Sequence, residues 1–255
     1  MSSAPTNIIE VRDLTAGYGD RVILRGLDFQ VRRGEVFMIL GGSGSGKSTL
    51  LKNMIGLYPA MGGEVLIGGE DIVGATGAAR ERILRKFGVM YQGGALFGSM
   101  TLAGNVMLPL EEWTRLPREA RLLLARLKLQ QVGLGEFADY LPSEISGGMQ
   151  KRAAVARAMA LDPGILFLDE PSAGLDPITS AGLDDLIRSL SRNMGITFVI
   201  ASHELASVYA IGDRAIILDR GSIVAEGAPQ ELRDHPTNDY VRAFFRREPE
   251  KARAA

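Results

Sequence analysis

The chain has 255 residues, of which 46% are hydrophobic and none is cysteine, and its formal net charge is -1. This length suffices for one large α/β domain or two small ones with a sizeable core. The balanced charge argues against a dedicated nucleic-acid binder, and the lack of cysteine excludes a disulfide framework and thiol catalysis. Met1–Asn7 lacks the basic start and apolar core of a signal peptide, and no apolar run approaches the roughly 18 residues that span a bilayer. We therefore expect any membrane role to come through a partner.

The amino-terminal segment is typical of a series of short strands. Ile8–Leu14 alternates apolar and polar residues like a half-buried strand, and Ala16–Asp20 is predicted to be a turn. A strand pair is predicted to follow at Val22–Leu24 and Leu27–Val31.

A glycine-rich segment comes next, directly after an apolar run of strand length. The run is Val36–Leu40, and Thr49–Ile55 has helical character, so the glycines lie at a strand-to-helix turn. Glycines there let successive N–H groups point into one concavity, and the helix adds the positive end of its dipole. Lys47 is placed to neutralise phosphate oxygens and Ser48 to ligate Mg²⁺, an offset that a flexible linker has no reason to keep. The sequence predicts a phosphate-binding loop of Gly41, Gly42, Ser43, Gly44, Ser45, Gly46, Lys47, Ser48 and Thr49.

Two further side chains are candidates for contact with a bound nucleotide. Tyr18, in the turn ahead of the loop, would either stack on an adenine ring or only pack its own turn. Beyond the loop we predict a strand at Gly62–Gly69, a helix at Ala78–Lys86 and a strand at Phe87–Tyr91 that ends on Gln92. Ligands in open α/β sheets collect at the carboxyl ends of strands, so Gln92 would sense the γ-phosphate, the Mg²⁺ or the attacking water.

The pattern then becomes helical. From about Leu102 to Gly133 the periodicity predicts an inserted helical subdomain, which includes a helix at Ala120–Val132. Ser146–Gly148 precedes an alanine-rich helix predicted at Met149–Leu161. By itself this is a common capping arrangement, although it also presents free N–H groups and the helix dipole.

Two adjacent carboxylates end the next buried strand, Gly164–Glu170. Two acids at the end of an apolar strand are costly unless they bind something. We expect Asp169 to hold Mg²⁺, directly or through water, and Glu170 to orient and deprotonate the attacking water. Asp176 then precedes a helix predicted at Pro177–Met194.

The last core strand, Thr197–Ala201, delivers His203 to the same edge of the sheet. A strand-end histidine is often structural, but the neighbouring motifs favour a γ-phosphate contact. The other histidine, His235, is interpreted as a surface residue. The remaining predicted elements are a hairpin at 215–226, short helices at 229–233 and 238–245, and a polar tail at 246–255.

Taken in order, these features resemble the ATP-binding cassette (ABC) ATPase domain from about Ile8 to Gly227. They are Tyr18, Gly41–Thr49, Gln92, Ser146–Gly148, Asp169, Glu170, Asp176 and His203. The resemblance implies an α/β P-loop NTPase with a mixed parallel core sheet, an amino-terminal antiparallel β-subdomain and an inserted helical subdomain. It implies one domain at 8–227 with the helical subdomain nested at about 93–160, then a short helical tail at 228–255.

The resemblance also implies ATP and Mg²⁺ as ligands and a homodimer in which two subunits close on two ATP molecules. Tyr18 would stack on adenine, Gln92 would link Mg²⁺ to the helical subdomain, and His203 would hold the γ-phosphate. The segment Ser146, Gly147 and Gly148 would grip the γ-phosphate of the partner subunit's site, and Asp176 would support the dimer contact.

One departure from the common family pattern points to a subgroup. Methionine at Met149 replaces the usual glutamine, whose hydrogen bonds it cannot make, although the backbone N–H groups remain, so we expect catalysis to survive. With Gln92–Phe97, Asn105–Pro109 and Leu141–Glu144, the chain is similar to the ATPases of bacterial MCE-type (Mla-like) lipid transporters. That similarity implies phospholipid transport between the inner and outer membranes. The implied partners are an integral-membrane permease, an MCE-domain substrate-binding protein and a small accessory subunit, with no nucleic acid, at the cytoplasmic face of the inner membrane.

Three alternatives stay open. The first is the ATPase of an ABC transporter for another substrate. The second is a cassette ATPase that acts on DNA or ribosomes, and the third is a nucleotide-binding regulatory module that does not hydrolyse ATP. The pair Glu170 and His203 argues against the last, since a dead site needs no base. The apolar residues Leu96, Phe97 and Met100 would either dock a permease or pack the helical subdomain.

Overall fold

The computed structural model describes residues 6–248. The strands of this part are β1 (Asn7–Tyr18), β2 (Arg21–Arg32), β3 (Val36–Gly41), β4 (Gly62–Ile67), β5 (Glu70–Asp71), β6 (Phe87–Met90), β7 (Ile165–Asp169), β8 (Thr197–Ala201), β9 (Arg214–Asp219) and β10 (Ser222–Gly227). The α-helices are α1 (Lys47–Met54), α2 (Gly77–Leu84), α3 (Leu102–Trp113), α4 (Arg118–Gln131), α5 (Gly147–Ala158), α6 (Pro177–Met194), α7 (Leu205–Ile211), α8 (Pro229–Asp234) and α9 (Asp239–Arg246). Short 3₁₀ helices cover Gly135–Phe137 and Pro142–Glu144. Most of the predicted polar tail, residues 249–255, lies outside the described residues.

The described residues form two compact units. The first contains residues 6–83 and 199–248, and the second contains residues 84–198. The strands pair in antiparallel fashion near the amino terminus and mostly in parallel elsewhere, with helices between them, so the predicted α/β fold class is confirmed. No helix within residues 6–248 combines the length and the apolar character needed to cross a membrane.

The amino-terminal strands of the first unit form a four-stranded antiparallel sheet in the order β2-β1-β4-β5. Strand bounds here differ from the prediction. The predicted pair Val22–Leu24 and Leu27–Val31 is the single strand β2, β1 is longer than predicted, and only Gly19 and Asp20 separate the two strands. Gly19 has φ of 55°, which suits a two-residue hairpin turn, and a Cβ on Gly17 would lie 1.9 Å from the Arg21 carbonyl oxygen. Glycine at both positions lets the strands continue, so Tyr18 ends a strand instead of lying within a turn.

The second set of strands in the first unit is built around β3. Strand β9 pairs with β3 in parallel and β10 pairs with β9 in antiparallel fashion, while β8 neighbours β3 on its other side. All six residues of β3 are buried, as expected for a strand covered on both faces. Gly41, its last residue, pairs with Leu218 of β9, so the sheet fixes where the glycine-rich segment begins.

The second unit combines the parallel pair β6 and β7 with a group of helices. Helices α3, α4 and α5 pack on one another within the region predicted to be a helical subdomain. A Cβ on Gly88 would lie 1.9 Å from the Ala158 carbonyl oxygen. Glycine at this position therefore allows β6 to lie directly against α5.

Candidate nucleotide site

The phosphate loop of the first unit has a backbone that only glycine adopts readily. Gly41, Gly44 and Gly46 have φ of 148°, 76° and 107°. A Cβ on Gly41 would lie 2.5 Å from the Leu218 carbonyl oxygen, and one on Gly46 would lie 2.6 Å from Leu24 Cδ2. Backbone conformation disfavours side chains at all three glycines, and lack of space disfavours them further at Gly41 and Gly46.

Lys47 is the first residue of α1 and is 9% exposed. Its Nζ donates to the carbonyl oxygens of Gly41 at 2.9 Å and Gly42 at 3.1 Å, so the loop curls around the ammonium group. Gly46 offers the helix no side-chain cap, and the buried Ser45 Oγ has no hydrogen-bond partner among the described residues. A cation, a helix N-terminus and an unsatisfied hydroxyl form a set of groups that suits phosphate oxygens.

Tyr18 stands beside α1. Its hydroxyl is 3.3 Å from Thr49 Oγ1, and its ring meets the Tyr58 ring edge-on at 5.3 Å between centroids. Tyr18 remains 43% exposed, which leaves ring surface for another group.

His203 follows β8 and is exposed. The preceding residue ties this segment to β3, because the Ser202 backbone N–H donates to the Ile39 carbonyl oxygen at 3.1 Å. His203 also lines a cavity of about 420 Å³ together with Phe244 and Arg247 at the end of α9. The first unit thus holds three of the predicted features: the phosphate loop, Tyr18 and His203.

The second unit holds the two predicted carboxylates at the end of the fully buried strand β7. Asp169 is 5% exposed and Glu170 is 8% exposed. Glu170 has φ of 48°, a left-handed conformation that is costly for a residue with a Cβ. Buried carboxylates on a strained backbone are found where function compensates for the cost.

Gln92 follows β6 after Tyr91 and begins a loop held by two cations of α5. Lys151 Nζ donates to the Gln92 carbonyl oxygen. Arg157 donates to the carbonyl oxygens of Gly94 at 2.9 Å and Ala95 at 2.7 Å. Burial lowers the pKa of both side chains, although Tyr91 acts in the opposite direction on Arg157.

The sequence reasoning missed these roles of Lys151 and Arg157. The only signal available was the presence of basic residues in a helix that is otherwise rich in alanine. Their contacts make this loop and α5 one connected structure.

Asn105 is a third residue whose role the sequence reasoning missed. It is fully buried in α3, and its side chain both accepts from the Phe97 N–H at 2.8 Å and donates to the Phe97, Met100 and Thr101 carbonyl oxygens. A single amide in an apolar stretch of helix was the available signal. Asn105 holds the segment from Phe97 to Thr101 in place.

The segment Ser146–Gly148 caps α5. Ser146 Oγ accepts from the Met149 N–H at 3.3 Å, while Ser146 and Gly147 are exposed. A Cβ on Gly148 would lie 2.2 Å from Thr179 Cγ2 of α6, so this glycine allows two helices to approach. Within a single chain, Ser146 thus acts as the N-cap of α5.

Asp176 caps α6 in the same way. Its carboxylate accepts from the Ile178 and Thr179 N–H groups at 3.0 and 3.1 Å, and from the Thr179 hydroxyl. These hydrogen bonds lower the pKa of Asp176, and the bond from the Thr179 hydroxyl has the largest effect. Ile178 beside it is 85% exposed.

Residues 6–248 contain no cluster of three or more His, Asp or Glu side chains that would hold a metal alone. Hydroxyl and carboxylate oxygens such as those of Ser48 and Asp169 suit Mg²⁺, which is commonly bound by few protein ligands together with phosphates and water. The donor chemistry of the predicted ligands therefore fits the ion.

Comparison with known proteins agrees with these features. Residues 24–173 match the ABC transporter family. The intermembrane phospholipid transport system ATP-binding protein MlaF of Haemophilus influenzae is 40% identical over 89% of this chain and 86% of the relative. The methionine import ATP-binding protein MetN of Caulobacter vibrioides is 37% identical over 94% of this chain and 72% of the relative.

A solved structure has the same fold. The dimeric ATP-binding cassette MJ0796, in a post-hydrolysis state bound to ADP and Pi, has a TM-score of 0.78 and 31% identity, covering 87% of this chain and 98% of that chain. The chain therefore belongs to the ABC transporter family. It has the fold of that family's ATP-binding cassette, which confirms the predicted family and the predicted class of enzyme, an ABC-type ATPase.

The Arg157 contacts can be tested by Arg157→Met, which keeps the apolar stem but removes the donors. We expect the free energy of unfolding to fall by about 1–3 kcal/mol, because two carbonyl groups lose a charged partner. The measurement is urea unfolding of the full chain. Arg126→Met, which breaks an exposed pair with Asp139, is the control and should cost at most about 1 kcal/mol. Equal midpoints for the two variants would contradict the assigned role of Arg157.

Proposed function

We propose that this chain is the ATP-hydrolysing subunit of an ABC transporter that moves phospholipids between the inner and outer membranes of a bacterial envelope. The observation that carries the ATPase part is the phosphate loop closed around the Lys47 ammonium group. The phospholipid part is supported by 40% identity to a protein named for intermembrane phospholipid transport.

The residues of the first unit bind and orient ATP. Backbone N–H groups of the loop Gly41–Thr49 hold the β- and γ-phosphates, and Lys47 neutralises their oxygens. Tyr18 stacks its exposed ring on adenine, and His203 donates a hydrogen bond to the γ-phosphate. Ser48 provides a hydroxyl ligand for Mg²⁺, which when bound offsets negative charge on the β- and γ-phosphates.

The residues of the second unit supply the groups for hydrolysis. Asp169, directly or through water, and Gln92 would hold the magnesium ion. Glu170 accepts a proton from the water that attacks the γ-phosphate. Its buried, fixed position keeps the carboxylate oriented, which is what a general base requires.

Two copies of the chain act together. In this proposal Ser146, Gly147 and Gly148 of one subunit complete the ATP site of the other, and Asp176 supports the contact. The exposure of Ser146, Gly147 and Ile178 agrees with a surface that a second copy covers. The dimeric state of the solved cassette MJ0796 supports the same arrangement.

The proposed partners are those implied by the similarity to the ATPases of MCE-type (Mla-like) lipid transporters. They are an integral-membrane permease, an MCE-domain substrate-binding protein and a small accessory subunit, and the chain binds the cytoplasmic face of the inner membrane through the permease. A second candidate function is import of another substrate such as an amino acid, which the 37% identity to a methionine import protein favours.

The role of Glu170 is tested by Glu170→Gln. The amide cannot accept the proton, so ATP hydrolysis should fall about 100-fold or more while ATP binding remains. Phosphate release measures hydrolysis, and size-exclusion chromatography with ATP and Mg²⁺ should detect a stable dimer. Glu136→Gln, at an exposed 3₁₀ helix of the same unit, is the control and should hydrolyse ATP normally. Undiminished hydrolysis by the Glu170 variant would remove Glu170 from its role.

The permease contact is proposed at the loop held by Asn105. Phe97 on this loop is 54% exposed, and a cavity of about 450 Å³ is lined nearby by Met100, Met107 and Leu122. The same cavity is also lined by the charged residues Glu111, Arg118 and Asp139. An exposed aromatic group beside a cavity with both apolar and charged walls is a surface that an amphipathic partner helix could cover. Leu96 and Met100 are only partly exposed, so they also pack within the unit, as the alternative interpretation predicted.

Phe97→Asp tests this contact. The charge should abolish binding to the purified permease, because it would be buried without a partner, while ATP hydrolysis by the isolated chain remains. Binding is measured by pull-down with the detergent-solubilised permease. The control is Leu123→Asp, since Leu123 is 61% exposed and lies on helix α4, outside the loop that carries Phe97. If the two variants bind the permease equally well, the docking surface lies elsewhere.

A further inference from the structure

A tyrosine of the carboxyl-terminal helix α9 contacts the phosphate loop. The Gly42 backbone N–H donates to the Tyr240 hydroxyl at 3.1 Å, and that hydroxyl donates to the Leu218 carbonyl oxygen at 3.4 Å. Leu218 lies opposite Gly41 in the parallel pairing of β9 with β3. One hydroxyl thus connects the loop to the strand beside it.

The peptide groups of Gly42 are held on both sides. Its N–H is bound by Tyr240, and its carbonyl oxygen accepts from Lys47 Nζ at 3.1 Å and from the Ser45 N–H at 3.3 Å. A glycine free of such contacts samples many backbone conformations, and ordering it costs conformational entropy. The Tyr240 contact spares part of that cost when the loop binds a ligand.

Helix α9 is anchored firmly enough to act in this way. Val241 and Phe245 are buried, and the Phe245 ring stacks with that of Tyr209 at 5.9 Å between centroids. Asn238 caps the helix by accepting from the Val241 N–H at 2.9 Å. The Tyr240 hydroxyl is therefore presented by an ordered helix.

The same helix lies beside a second group of the site. Phe244 and Arg247, near the end of α9, line the cavity that His203 also lines. The helix thus contacts the phosphate loop near its first turn and borders His203 near its last.

We propose that Tyr240 is a positioning residue, which holds the Gly42 peptide so that the phosphate loop is ordered before nucleotide binds. Through this hydroxyl the carboxyl-terminal helix sets the affinity for the nucleotide phosphates. The inference rests on the proposed function, since it requires that the loop binds nucleotide.

The test is Tyr240→Phe in the full chain, with ADP and Mg²⁺ as the probe in isothermal titration calorimetry. Loss of one hydrogen bond that preorganises the loop should raise the Kd about 2- to 10-fold. The kcat at saturating ATP should change less than about twofold, because Tyr240 does not touch the reacting groups. A purely structural defect would instead lower kcat together with the melting temperature.

Tyr209→Phe is the matched control. The Tyr209 hydroxyl is buried and has no hydrogen-bond partner among the described residues, and its ring packs on the same helix. Removing it should leave the Kd for ADP unchanged.

Asn238→Ala provides a second variant that acts on α9 without touching the loop. Loss of the helix cap should raise the Kd for ADP when it is the only change in the chain. When Tyr240→Phe is already present, Asn238→Ala should not raise the Kd further, because both changes act through the Tyr240 hydroxyl. An unchanged Kd for Tyr240→Phe, an equal rise for Tyr209→Phe, or additive effects of the Asn238 and Tyr240 changes would each overturn the inference. If the unaltered chain fails to bind ADP, the proposed function itself fails, which is a different result.

Discussion

The burial of the Lys47 ammonium group within a curl of glycine backbone is the constraint on which the first unit depends. The curl exists because Gly41 and Gly46 approach Leu218 and Leu24 too closely for a Cβ atom. Strand β3 is buried along its whole length and paired with β9, so the start of the curl is fixed by the sheet. The Lys47 ammonium group, which donates to the carbonyl oxygens of Gly41 and Gly42, is a cation suited to bond phosphate oxygens.

In the second unit, helix α5 is the element that holds the neighbouring loop in place. It begins at the segment Ser146–Gly148, and its side chains Lys151 and Arg157 hold the carbonyl oxygens of the loop that starts at Gln92. Under the proposed function, the segment that contacts the partner subunit's ATP and the loop that approaches the permease belong to one connected piece. Lys151 and Arg157 therefore link that loop directly to α5.

The sequence was most informative where function depends on consecutive residues. The strand-to-helix turn, the paired carboxylates Asp169 and Glu170, and the α/β class all follow from local order and periodicity. Contacts made by residues far apart in the chain were not predictable, because no local pattern marks them: Gly42 and Tyr240 are 198 positions apart. The hairpin after Tyr18 was predicted as a longer turn, since the single-residue preferences of glycine do not reveal how closely Gly17 approaches Arg21.

The central claim is that this chain drives a permease that moves phospholipid. The most direct measurement is to purify the chain from gently solubilised membranes of its own organism and to identify the accompanying proteins and lipids by mass spectrometry. We expect a multispanning permease, an MCE-domain protein and bound phospholipid. A different permease with a receptor for a soluble substrate would contradict the phospholipid assignment, and the ABC motor would then serve another cargo.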